Sequence, residues 1–287
     1  MNGILNINKP KGITSAAVVS KVKKILGTKT VGHMGTLDPQ GEGVLLIGIG
    51  KGTKLFDCML KKDKIYEADF CFGYETDTLD GDGKIINICK KIPSIDELNS
   101  KIQLFLGKIQ QLPPNYSAKN IDGIRAYKLA REGKEVILKP SEVEVFDIKI
   151  ICATPPVYRF LIHCSSGTYI RSICRDIAHS CNSLATMTSI SRLRSGKYLI
   201  KDSITLDELE QKKETAIENL DNALSNLRRY DLSVSHKKQL DNGMTIAVSA
   251  LNSIPEDQEF LVYCDNILYG IALHFDGYFK LKTYLKA

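Results

Sequence analysis

The chain has 287 residues, 43% hydrophobic and 25% charged, with 39 Lys and Arg against 33 Asp and Glu for a formal net charge of +6. This composition excludes disordered, collagenous and fibrous chains, and the mildly basic balance suits a nucleic-acid partner. The longest apolar run, Val44 to Ile49, is too short to span a bilayer, and Met1 to Lys11 lacks the apolar stretch of a signal peptide.

Residues 4–7 read as a short strand ending in the turn Lys9-Pro10-Lys11-Gly12. Thr14 or Ser15 then caps a helix with an apolar stripe of Val18, Val19, Val22, Ile25 and Leu26, closed by Gly27. A glycine-rich loop, Gly32 to Gly43, precedes a buried strand over Val44 to Gly48. Residues 65–72 alternate, with Tyr66, Ala68, Phe70 and Phe72 on one face, and Thr76 to Gly83 form an acidic loop. Helices are expected over Ile95 to Leu106 and near Ala126 to Arg131, and strands over 142–151 and 157–164. Thr168 to Cys181 predicts an amphipathic helix with Ile170, Ile173, Cys174 and Ile177 inward. Strands and basic turns run to about Ile200, and a helical stretch to Leu227. From about Arg229 short strands alternate with turns, the clearest being Asp276-Gly277.

Eight cysteines, Cys58, Cys71, Cys89, Cys152, Cys164, Cys174, Cys181 and Cys264, show no C-x-x-C spacing. They read as reduced thiols of a cytoplasmic protein.

The segment Val31 to Gly43 holds most of the chemistry. Gly32, Gly35, Gly41 and Gly43 crowd one loop, a pattern of unusual backbone angles or close ligand approach. Pro39 pushes Asp38 towards an extended conformation, which fixes the direction of its carboxylate. The plain alternative is a strained connection in which Asp38 caps a turn. No Gly-Lys-Ser/Thr closes the segment, so it is not a P-loop, and a His33/Asp38 metal site lacks a third ligand nearby in sequence.

Gly32-His33-Met34-Gly35-Thr36-Leu37-Asp38-Pro39 resembles the signature of the bacterial tRNA pseudouridine synthase B (TruB) family. Further blocks resemble that family in order: Lys9 to Ser15, Lys64 to Gly73, Thr76 to Gly83, Pro113 to Gly133, Cys164 to Ile173, and Ile190 to Tyr198, together spanning the first ~200 residues. Two departures stand out. Lys119-Asn120 replaces the usual order after the double proline, and Gln40-Gly41-Glu42 replaces a run of small residues.

The resemblance implies an α+β pseudouridine synthase fold, a mixed, largely antiparallel sheet flanked by helices, over residues 1–228. A small β-barrel-like PUA-type RNA-binding domain would follow over 229–287. It further implies isomerisation of a tRNA uridine, position 55 of the T-arm, by a cytoplasmic monomer that needs no cofactor. By the same correspondence the catalytic residues are Asp38, Tyr66 and Arg171. Arg171 would hold the carboxylate in bidentate fashion, and the Tyr66 ring and hydroxyl would serve the uracil. Ile190 and Tyr169 would line the pocket, and His33 would stack on or replace an everted base. Lys9, Lys11, Lys21, Lys23, Lys24, Arg192, Arg194 and Lys197 are expected to meet phosphates. Read without the resemblance, Arg171 and Arg175 are solvated surface charges, Tyr66 and Ile190 are core, and the tail is a stabilising appendage. Two other functions fit the pattern: a tRNA-binding or folding module with secondary catalysis, and a metal-dependent hydrolase built on His33, Asp38, Asp77 and Asp80.

Overall fold

The computed structural model describes residues 1–117, 138–247 and 257–286, together with a strand pair at 120–121 and 124–125. The helix expected over Ala126 to Arg131, and the side chains of Lys119 and Asn120, lie outside the described residues. No described helix is long and apolar enough to cross a membrane, and all eight cysteines are unpaired.

Strand β1 (Gly3–Lys9) leads into helix α1 (Ser15–Leu26). The Thr14 hydroxyl accepts a hydrogen bond from the Ala17 amide at 3.0 Å, filling one of the donors that a helix start leaves open. Gly27 ends the helix at φ 63, a left-handed conformation that a side chain opposes. Strands β2 (Val31–His33) and β3 (Glu42–Ile49) flank the glycine-rich loop, and a short helix α2 (Phe56–Leu60) leads to β4 (Lys64–Phe72). Next come the hairpin β5 (Tyr74–Thr76) and β6 (Ile85–Ile88), helix α3 (Ile95–Ile102), β7 (Gly107–Gln111), and the pair β8 (Asn120–Ile121) and β9 (Ile124–Arg125). Strands β10 (Ser141–Thr154) and β11 (Val157–Cys164), helix α4 (Ile170–Ser180), β12 (Ala185–Ser195), β13 (Tyr198–Leu199) and helix α5 (Leu206–Lys212) complete this part.

Nine of these strands form one sheet in the order β1-β3-β12-β4-β11-β10-β7, with β2 on β3 and β13 on β12. Every pairing is antiparallel except β12 with β3. Alternation along β1 and β3 sends Leu5, Ile7, Leu45, Ile47 and Ile49 to the face covered by α1, α3, α4 and α5. The opposite face offers Ile4, Val44 and Leu46 to a second cluster. Strand β3 is therefore buried on both sides, which is why it reads as an unbroken apolar run.

The second cluster is shared with a five-stranded sheet built from the tail, in the order β14 (Arg229–Leu232), β16 (Glu259–Cys264), β17 (Ile267–Phe275), β18 (Tyr278–Tyr284), with β15 (Ile246–Ala247) on the far edge. Leu261, Tyr263, Leu268, Ile271 and Leu285 pack in the same cluster as Val44 and Leu46, while Phe260, Val262, Tyr269 and Phe279 form the tail's own core. Both hairpins turn on two residues with positive φ, Asp265-Asn266 at 57 and 56 and Asp276-Gly277 at 46 and 71, the twist that two-residue turns need.

One expected element breaks. The helical stretch from Thr205 opens well, with a reciprocal Thr205–Glu208 capping box, but ends at Lys213, where φ turns positive. Glu218 then pairs its backbone with Ile4 through two 2.9 Å hydrogen bonds, and Asn219 caps a separate turn, Leu220–Ala223. A sheet edge in need of partners has outweighed local helix propensity.

The shared cluster couples the two sheets. Leu46→Ala, at a site 1% exposed, is expected to lower the unfolding free energy by about 2–5 kcal/mol. Denaturant titration should show tail and body probes shifting together in one transition.

Candidate active site

The loop carrying Asp38 is held from the chain's first fifteen residues. The Lys9 ammonium donates to the carbonyls of Pro10, Pro39 and Gly41 at 2.9, 3.1 and 2.5 Å. The Gly12 amide donates to Pro39 O at 2.8 Å. The Ser15 hydroxyl takes the Leu37 amide at 3.0 Å and donates to the Leu37 carbonyl at 3.1 Å. Both backbone groups of Leu37, the residue before Asp38, are thus fixed by one buried side chain. Gly43, where β3 begins, lies at φ 95, and a Cβ there would fall 2.4 Å from the Arg192 carbonyl. Only glycine allows that approach.

Arg171 enters from the first turn of α4. Its Nε and Nη2 grip the two oxygens of Asp38 at 3.0 and 3.2 Å. Nη1 donates to Thr78 O at 3.0 Å and to Asp80 Oδ2 at 3.2 Å, and Nη2 also donates to Tyr116 O at 3.0 Å. Four hydrogen bonds and the Nε ion-pair contact thus hold the guanidinium from several sides. Asp80 is itself held, its Oδ1 taking the Thr78 hydroxyl at 2.6 Å and the Asp82 amide at 3.2 Å. The acidic loop therefore orients the arginine. The start of α4 is pinned by Gln111, whose side-chain amide exchanges hydrogen bonds of 2.8 and 3.2 Å with the Tyr169 backbone.

Asp38 lies deep among protein atoms, yet its side chain remains 36% exposed, so the carboxylate is accessible to a substrate. Enclosure raises its carboxyl above the ordinary aspartate value of 3.8; Arg171 opposes that rise, and Asp80 adds to it. Tyr66, 8% exposed on the inward face of β4, stands opposite Arg192 in the strand register and feels the charges of Arg192 and Asp38. Burial lifts its phenol above 10. Half-buried Ile190 borders the reactive loop, its Cγ2 lying 3.3 Å from where a Gly41 Cβ would stand. His33 is partly buried with Nδ1 unpartnered, and burial lowers its pKa below 6.5, so the ring is neutral at neutral pH.

Residues 23–170 match the TruB family pseudouridylate synthase N-terminal domain. The chain belongs to the TruB family of pseudouridylate synthases. It is 39% identical over 288 residues to the tRNA pseudouridine synthase B of Clostridium novyi (strain NT), covering 99% of this chain and 100% of that protein. It is 40% identical over 286 residues to that of Clostridioides difficile (strain 630), covering 95% and 94%. Among solved structures, the protein in the crystal structure of a Cbf5-Nop10-Gar1 complex superposes with a TM-score of 0.71 at 23% identity, over 95% of this chain and 78% of that one. One in the archaeal box H/ACA sRNP Nop10-Cbf5 complex gives 0.69 at 21%, over 95% and 79%. The fold is the α+β pseudouridine synthase fold with a PUA-like C-terminal sheet.

In this TruB-family chain two expected phosphate contacts turn inward. Lys9 is fully buried and Arg192 is 2% exposed, so neither reaches a phosphate from its position here. Burial lowers the Lys9 pKa to about 8, with the nearby charges of Asp38 and Glu42 opposing. Arg194 is paired with Asp63 and His163 and Lys197 with Glu218, whereas Lys11, Lys21, Lys23 and Lys24 remain exposed. Arg171 is not the surface charge that helix periodicity gives, because the whole first turn of α4 is enclosed. The sequence marked Ser15 only as a cap candidate and part of a family block, and the loop-fixing part of Ser15, the anchoring by Gln111 and the orienting part of Asp80 come from the structure.

Ser15→Ala would strand the Leu37 amide and free the loop. It is expected to destabilise the fold by about 1–3 kcal/mol in denaturant titration and to slow pseudouridine formation about tenfold or more.

Proposed function

We propose that this chain converts uridine 55 in the T-arm of tRNA to pseudouridine, with Asp38 as the reacting carboxylate, acting as a cytoplasmic monomer. The observation that carries the reading is the carboxylate met at both oxygens by a buried guanidinium while about a third of its side chain stays accessible, in a chain of this family. The reaction breaks the C1′–N1 bond, turns the uracil and forms a C1′–C5 bond, so its balance calls for no cofactor. A fixed, ionised carboxylate serves as nucleophile or base at the ribose. Arg171 supplies both the fixing and the charge. The uridine must leave its stack to reach the cleft, with His33, Tyr169 and Ile190 receiving it and the exposed lysines of α1 meeting backbone phosphates. Residues 1–228 carry the chemistry, and the sheet that begins at Arg229 extends the RNA surface.

Incubation with an unmodified tRNA transcript, followed by nucleotide-resolution mapping, should give pseudouridine at that single position. Asp38→Ala is expected to abolish it while tRNA affinity stays within a few-fold. Turnover by the variant would overturn the assignment.

The raised Asp38 pKa fixes the sign of the pH response. The reactive form is the carboxylate, so activity is present above the folded pKa and is lost as pH falls through it. The acid limb of single-turnover rate should therefore lie above 3.8, and Asp82→Asn, which removes a charge that raises Asp38, should move it lower. A limb that stays in place in the variant would show that another group controls it.

A further inference from the structure

Strand β12 carries an extra residue at two places along its pairing with β4. Met187 lies opposite Phe70 and Ser189 opposite Asp69, which leaves Thr188 unmatched. Arg192 lies opposite Tyr66 and Arg194 opposite Ile65, which leaves Leu193 unmatched. Successive side chains of a strand alternate between faces, so each extra residue reverses the phase of those that follow. Continued past Met187 without the first bulge, the register would set Ile190 opposite Glu67, on the outer face. The bulge sets it opposite Ala68 instead, on the face that carries Tyr66, and the second bulge restores the earlier phase from Arg194 onward. The reversed stretch is the part of β12 that meets the site. The Ile190 side chain lies against the loop of Asp38, with Cγ2 3.3 Å from where a Gly41 Cβ would stand. Just before the bulge the Met187 amide donates to Leu79 O at 3.2 Å, beside the Asp80 that meets Arg171.

The bulge is secured from the outer face by Asp69. Its Oδ2 accepts from the Ser189 hydroxyl at 2.8 Å, and its backbone carbonyl accepts from the Thr188 hydroxyl at 3.3 Å. Arg159, opposite Asp69 on β11, donates to the same carboxylate through Nε at 2.7 Å and Nη2 at 2.9 Å. Arg159, Asp69 and Ser189 therefore form a row across three neighbouring strands, with the carboxylate fixed at both oxygens. In the register without the bulge Ser189 would turn inward beside Ala68, and its hydroxyl would leave Asp69. We propose that Asp69 is a positioning residue for pseudouridine formation: held by Arg159, it locks the bulge at Thr188 through Ser189 and so presents Ile190 to the uracil.

The chemistry gives this phase its importance. Once the C1′–N1 bond is broken, the uracil has to turn and bring C5 to C1′ without leaving the site. A β-branched side chain is stiff at χ1 and makes a fixed apolar wall for that turn, provided that its strand keeps its phase. A slip of one residue would put Ser189 or Ser191 at the wall in place of Ile190, with a smaller and polar side chain. Asp69 faces the other side of the sheet, so it acts through Ser189 and Ile190 and not on the substrate.

The inference rests on the assignment of pseudouridine formation, and a set of variants separates the two. Asp69→Ala, Asp69→Asn, Ser189→Ala, Ile190→Ala and the double variant of Asp69→Ala with Ile190→Ala would be compared with Asp38→Ala in single-turnover reactions on an unmodified tRNA transcript. Asp69→Ala is expected to be slower by about tenfold, with tRNA affinity within about threefold. Asp69→Asn keeps an oxygen for the Ser189 hydroxyl and should stay within about threefold of the parent rate. The double variant should be no more than about twofold slower than Ile190→Ala alone. Losses that multiply, an asparagine variant as slow as the alanine one, or a lower Tm at an unchanged rate would overturn the role of Asp69 while leaving that of Asp38 intact. Turnover by Asp38→Ala would instead remove the underlying assignment. Should Asp69→Ala fail to fold, Ser189→Ala decides. Removal of that one hydroxyl should slow the reaction about threefold or more, and a parent-like rate would refute the clamp.

Discussion

The site depends on one guanidinium being held from several sides. Arg171 meets two carboxylates and two backbone carbonyls, contributed by three separate stretches of chain. That set of partners fixes the arginine, and its position passes to Asp38 through a two-point contact. A partly satisfied arginine would swing between partners and carry the carboxylate with it. Buried among these partners, Arg171 is turned away from an incoming phosphate, so RNA recognition falls to other groups.

The remainder of the site solves the same problem for the other end of the loop. Lys9, Gly12 and Ser15 hold the backbone of residues 37–41, so the reactive side chain is fixed at its tip by Arg171 and at its root by α1 and the turn before it. Lys9 achieves this at the expense of its own charge, which burial has made easier to lose. Arg192 completes a set of buried cations around Tyr66 and the loop. Cations that composition suggests are for RNA are here part of the scaffold.

Local pattern made much of the fold legible. The caps and stripe of α1, the alternation of β4, the inward face of α4 and the tail hairpins all follow from residues within a few positions of one another. What stayed hidden depends on partners remote in sequence. Asp80 lies 91 residues before Arg171, and Asp38 lies 133 before it. Gln111 meets Tyr169 across 58 positions. Period-based reasoning put Arg171 off the apolar stripe and hence in solvent, because a helix wheel does not register the loops that close over the first turn of α4. The broken helix after Lys213 has the same origin, since Glu218 is claimed by Ile4. The family resemblance supplied the candidate residues where periodicity could not, and the structure then divided the basic ones into exposed and buried.

Gly43 carries a consequence for how this sequence can change over time. Its bare α-carbon lets β3 lie against β12 at the point where Arg192 takes its place in the strand. A methyl group there would wedge the two strands apart and shift the carbonyls that seat the arginine. Neutral drift is closed at this position even though glycine performs no chemistry, and lineages that keep the activity are bound to keep this gap.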